Sequence, residues 1–98
     1  MTTWRELPGW LTEDGEDGRW RDVRLLQGAA RDVRAGEAMV EIGSWCGQSA
    51  AILHEGAPGT PIHCFDPYPD DAIEAGGDIS AEDARLTFKR WIGDGRRV

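Results

Sequence analysis

Positive charge is scarce in this chain. Eleven Lys and Arg stand against 18 Asp and Glu, a formal net charge of −7 over 98 residues, so Coulomb repulsion disfavours non-specific contact with nucleic acid or an anionic membrane surface. Long apolar runs are also missing. No stretch approaches the roughly 20 residues that a membrane-spanning helix requires, and the Met1 end has neither the basic start nor the apolar run of a secretory leader. Cysteine is sparse, since Cys46 and Cys64 stand alone with no short-spaced pair to hold a metal or work as a dithiol. These absences predict a cytoplasmic protein with reduced thiols. Repeats and low-complexity tracts are absent too, and a chain of 98 residues has room for one domain with one core.

What the chain does have is tryptophan, five in all, and a regular succession of apolar stripes. Residues 1–18 read as an arm, with Trp4, Leu7, Trp10 and Leu11 flanking Pro8-Gly9 and docking through aromatics, followed by an acidic, glycine-spaced turn. Residues 19–36 read as a leading helix, because Trp20, Val23, Leu26, Ala30 and Val33 recur at three- and four-residue steps. Asp17 is the expected N-cap and Gly36 the expected stop. The arginines of this helix, interspersed with Asp22 and Asp32, read as a solvated face.

Residues 38–66 read as one βαβ unit. Met39 to Ile42 is a short apolar strand, Gly43 and Gly47 bracket a loop, a helix runs from Gln48 to about Glu55, and Pro61 to Phe65 is a second strand. Its apolar residues fall on both faces, as expected where helices cover both sides of a parallel sheet. Residues 67–79 read as an exposed loop whose Asp70, Asp71, Glu74 and Asp78 are better explained by solvation than by a metal. Residues 80–95 read as a helix opened by Ser80, with Ala84, Phe88, Trp91 and Ile92 as its buried stripe, and Arg96-Arg97-Val98 as the start of a third strand. The expected architecture is a three-layer α/β/α, Rossmann-like unit, truncated to two or three parallel strands with helices on both faces.

The chemistry is expected at Gly43 to Ser49. In an open parallel sheet ligands bind outside the carboxyl ends of the strands, and glycine there lets backbone approach the ligand. Asp66 follows the second strand, 23 positions beyond Gly43, where a carboxylate is placed to accept ribose hydroxyls. An adenosine-type ligand follows. The loop lacks the Gly-Lys-Ser/Thr ending that cradles phosphates, and Trp45 stands where a dinucleotide loop has its middle glycine. No basic residue meets a pyrophosphate, while Glu41 adds negative charge. Such a pocket suits a ligand carrying a sulfonium and an ammonium.

Glu41-Ile-Gly-Ser-Trp-Cys-Gly-Gln-Ser49, followed by Ile62-His-Cys-Phe-Asp-Pro-Tyr68, resembles class I S-adenosylmethionine-dependent methyltransferases, in the bacterial branch whose first motif reads Val-Glu-Ile-Gly-Ser-x-x-Gly-x-Ser. The preceding Gly9-Trp10-Leu11-Thr12 and the leading helix fit that branch as well. The resemblance spans nearly the whole chain and implies the N-terminal portion of such a domain, whose members continue for about another hundred residues. It implies that Gly43 and the neighbouring backbone of Ser44 and Trp45 hold the methionine portion of S-adenosylmethionine, that Gly47 and Ser49 shape the loop, that Asp66 binds the ribose, and that Pro67 and Tyr68 lie near the adenine. A methyl group would pass to a small-molecule acceptor, at oxygen by family analogy. No catalytic base and no metal ligand is assigned. Trp45 is a packing or lid residue on this reading, Cys46 an inert thiol, His54 a helix-terminal residue and His63 structural. Two other functions remain open: a non-catalytic binding or interaction module that pairs its open sheet edge with a partner or with itself, and, less favoured, an NAD-binding oxidoreductase fragment.

Overall fold

The computed structural model describes residues 4–9, 11, 19–68 and 79–93. Trp10, Asp17, the acidic group Asp70, Asp71, Glu74 and Asp78, and the expected third strand at 96–98 lie outside the described residues. A 3-10 turn at Trp4–Glu6 precedes α1 (Arg19–Arg31), β1 (Met39–Ile42), α2 (Gln48–Gly56), β2 (Ile62–Phe65) and α3 (Ala81–Gly93). The fold is mixed α/β.

The leading helix ends at Arg31, earlier than the sequence pattern suggests. Its last turn tightens, with Asp32 N–H shared between the Gly28 and Ala29 carbonyls and Val33 N–H reaching Ala30. A separate turn then takes over: Glu37 accepts the Arg34 N–H on its side chain at 2.9 Å and returns its own N–H to the Arg34 carbonyl at 3.0 Å. Local side-chain bonding of this kind competes with continued helix. At the other end of the chain α3 starts as expected, because Ser80 Oγ accepts the Asp83 N–H at 3.1 Å and caps it.

β1 and β2 pair in parallel, with Met39 opposite Ile62, Val40 opposite His63, Glu41 opposite Cys64 and Ile42 opposite Phe65. Side chains alternate across a strand, so this register sends Met39, Glu41, Ile62 and Cys64 to one face and Val40, Ile42, His63 and Phe65 to the other. The first face is covered by α1 and α2, where Met39 and Ile62 pack with Ala30, Val33, Leu53 and Ala57. The second carries no cover among the described residues: Val40 is 64%, Ile42 84% and Phe65 58% exposed. The expectation of helices on both faces is therefore corrected for the described residues, in which cover lies on one side. Apolar composition told which residues want burial, not whether a second layer reaches them.

The core sits above that covered face. Trp4, Leu7 and Leu11 from the arm meet Val23 of α1, Ala50, Ala51 and Ile52 of α2, and Phe88 and Trp91 of α3. Of the arm's aromatics Trp4 lies in this core, almost wholly buried. Phe88 and Trp91 cross edge to face at 5.5 Å, a favoured aromatic geometry. Among the described residues no helix is long and apolar enough to cross a membrane.

Candidate functional site

The loop between β1 and α2 is shaped by two left-handed glycines. Gly43 (φ 85°) turns the chain off the strand and Gly47 (φ 96°) turns it into the helix. A Cβ at Gly43 would meet nothing within 4 Å, so its backbone faces open space. Gly47 is enclosed. A Cβ there would lie 2.9 Å from Phe88 Cδ2 and 3.2 Å from Trp91 Cε3, which lets α3 close against the loop only because the residue is glycine. Gly43 N–H donates to the Phe65 carbonyl at 2.7 Å and carries the ladder one step past the strand.

Asp66 joins this loop to the end of β2. Its Oδ2 accepts the Trp45 N–H at 2.8 Å and its Oδ1 the Tyr68 N–H at 2.8 Å. Tyr68 completes the circuit, donating its hydroxyl to the Trp45 carbonyl at 2.6 Å and stacking on the Trp45 ring with centroids 6.5 Å apart. Both aromatics hold positive φ, 50° at Trp45 and 47° at Tyr68, an unfavourable region for a bulky side chain. The two motif segments thus meet, as their spacing suggests. Pro67 is exposed between Asp66 and Tyr68, and Ser49 is half-buried in the first turn of α2.

Beneath the loop lies a polar group on the covered face of the sheet. Glu41 Oε1 and Ser44 Oγ are both buried without a hydrogen-bond partner. Burial pushes the Glu41 carboxyl above its ordinary range; Ser44 eases it and the Asp66 charge raises it further. Ser44 stands close enough to act on Glu41 electrostatically, yet its Oγ makes no hydrogen bond of ordinary geometry. Cys64, opposite Glu41, is pushed up to about 11 chiefly by burial, against an easing effect of Ser44. Cys46 is likewise raised to about 11 by burial. At neutral pH both thiols are protonated and weak as nucleophiles. Tyr68 is pushed up to about 12 by burial and then by Asp66, so its phenol is a hydrogen-bond donor across the physiological range. Among the described residues no group of His, Cys, Asp and Glu has metal-binding geometry.

One residue of the motif does something sequence reasoning missed. Gln48 turns its side chain away from the loop to the arm, donating from Nε2 to the Leu11 carbonyl at 2.9 Å and accepting the Leu11 N–H on Oε1 at 3.2 Å. A glutamine opening a helix looks like a solvated helix former, and nothing local signals a partner 37 positions away.

Comparison of the chain with protein-family models, with curated proteins and with solved structures finds no match.

Proposed function

We propose that this chain is the cofactor-binding half of a class I, Rossmann-like S-adenosylmethionine-dependent methyltransferase that transfers a methyl group to an oxygen of a small-molecule acceptor. The observation that carries the reading is the hydrogen bond between Asp66 and the Trp45 backbone. It brings the glycine loop and the carboxylate together at the carboxyl ends of adjacent parallel strands, the crevice in which α/β sheets bind ligands. The residues present suit the group. Open space over Gly43 leaves backbone accessible, the loop carries no Lys or Arg, and the Asp66 and Glu41 carboxyls lie beside it, the latter raised by burial and available to a cationic partner once it ionises.

S-adenosylmethionine supplies, when bound, an electrophilic methyl group on a sulfonium. The roles of the chain's own residues are binding and orientation. Asp66 accepts one N–H on each oxygen and keeps a lone pair on each for a ribose diol. Glu41 and Ser44 hold unpaired polar atoms that a donor such as an ammonium would satisfy. Pro67 and the Tyr68 ring flank the position the resemblance gives to adenine. The acceptor class rests on that resemblance.

Calorimetric titration with S-adenosylhomocysteine, beside an Asp66→Ala variant, tests the reading. Binding by the parent that the variant loses supports it; no heat from the folded parent rejects this segment as a working cofactor site. A second reading, an interaction module, draws on the two-stranded sheet with its exposed Val40, Ile42 and Phe65. Light scattering separates the two, since a module that pairs with itself gains mass with concentration.

A further inference from the structure

We propose that Tyr68 is the latch of a gate that closes across the crevice between the glycine loop and Asp66. The inference rests on the crevice being the ligand site and adds how access to it is controlled. Trp45 belongs to the loop after β1, and Tyr68 follows the end of β2. Every contact between them therefore spans from one strand end to the next. Three such links cross between the segments: the Asp66 carboxylate accepts the Trp45 N–H, the Tyr68 hydroxyl donates to the Trp45 carbonyl, and the rings stack, while the Tyr68 N–H to Asp66 bond fixes the second segment on itself.

The latch is built to open. Trp45 and Tyr68 both sit at positive φ, a conformation that side chains with a Cβ adopt only when surrounding contacts hold them there. Both are half-buried, so water competes for the same hydrogen bonds. Remove one link and each residue has a relaxed conformation to move to. The 2.6 Å bond from the Tyr68 hydroxyl is the link that one atom removes while the ring stays. A ligand that takes hydrogen bonds from Asp66 and the Trp45 backbone competes for the groups this bridge holds. The Tyr68 hydroxyl, as distinct from the ring that the proposed function sets near the adenine, is thus a positioning group that acts through Trp45.

The gate is tested first without ligand, by amide hydrogen exchange of the folded parent, Tyr68→Phe and Tyr68→Leu. The Trp45 N–H, bonded to Asp66, exchanges when the latch opens. Loss of one net hydrogen bond predicts about fivefold faster exchange at Trp45 in Tyr68→Phe, and faster exchange again in Tyr68→Leu, where the ring stack is lost as well. The Ile52 amide, inside α2, reports global opening and keeps its parent rate. Equal Trp45 rates in parent and both variants overturn the latch. Stopped-flow mixing with S-adenosylhomocysteine then separates a gate from a contact. A gate makes association and dissociation faster together in Tyr68→Phe, whereas faster dissociation alone makes the Tyr68 hydroxyl a direct ligand contact and overturns the gate. If the folded parent binds no S-adenosylhomocysteine, the methyl-donor reading fails and the exchange result by itself decides the latch.

Discussion

The Gln48 side-chain amide holds the Leu11 backbone at both its acceptor and its donor, at 2.9 and 3.2 Å, and both residues are buried. This pair fastens the N-terminal arm to the first turn of the helix that leaves the glycine loop. Gln48→Ala strands a buried N–H and a buried carbonyl, each costing about 1–3 kcal/mol when left unsatisfied, less what water recovers. We expect a loss of about 2–3 kcal/mol in urea unfolding, with early proteolytic cleavage of the arm. A variant within 0.5 kcal/mol of the parent would show that the clasp contributes little.

The two loop glycines are expected to respond differently to the same change. Gly43→Ala meets open space and bears only the cost of a left-handed alanine, about 1 kcal/mol. Gly47→Ala adds to that cost a Cβ 2.9 Å from Phe88, and overpacking a closed contact costs about 1–3 kcal/mol more. Parallel thermal melts decide it. Equal losses in the two variants would contradict the close approach of α3.

Glu41 links stability to pH. Its carboxyl is raised above 4.5, mainly by burial, so between 4.5 and its raised value the folded state binds more protons than the unfolded one. Stability from this group therefore falls as pH rises through that window. Glu41→Gln removes the slope, and stability curves of parent and variant diverge with rising pH. Parallel curves would refute the burial of this carboxyl. If the site takes a cationic ligand, the parent's affinity rises over the same window as Glu41 ionises.

The thiols extend the same linkage to alkaline pH. Cys46 and Cys64 move from 9.0 to about 11 on folding, so the folded state keeps protons that the unfolded state releases. Their stabilising contribution is lost between about pH 9 and 11. Ultraviolet titration of thiolate absorbance in native and urea-unfolded chain is expected to show the native midpoints displaced upward. Coincident midpoints would exclude the effect.

The bare face of the sheet predicts an asymmetry between neighbouring positions. Ile42→Ser touches a side chain that is 84% exposed and is expected to change stability by less than about 0.5 kcal/mol. Ile62→Ala empties a wholly buried position and is expected to cost about 2–5 kcal/mol. Denaturant midpoints of the two variants are the measurement, and a large loss at Ile42 would place a covering layer on that face.

Much of the candidate site is legible in the sequence, because its determinants are local. A glycine pair around a polar loop, between an apolar run and helix formers, reads as strand, turn and helix whatever the rest of the chain does. The distance in sequence from Gly43 to Asp66 is one βαβ unit, and such a unit has few ways to close. The leading helix stops short of its apolar pattern, since Val33 keeps the apolar spacing while Glu37 rebuilds the backbone bonding of the preceding turn through its side chain.

The sequence by itself determined the type and order of the described helices and strands and their parallel pairing, though not where the leading helix ends, since periodicity, glycine punctuation and crossover length act over a few residues at a time. Only the tertiary structure decided that Gln48 serves the arm, that Trp45 and Tyr68 are held left-handed by one shared carboxylate, and that the described residues cover only one face of the sheet. Each of these depends on which distant groups arrive within hydrogen-bonding or van der Waals reach. Hydrogen bonds fall off within an ångström of their best distance, and no pattern along the chain encodes separations that fine.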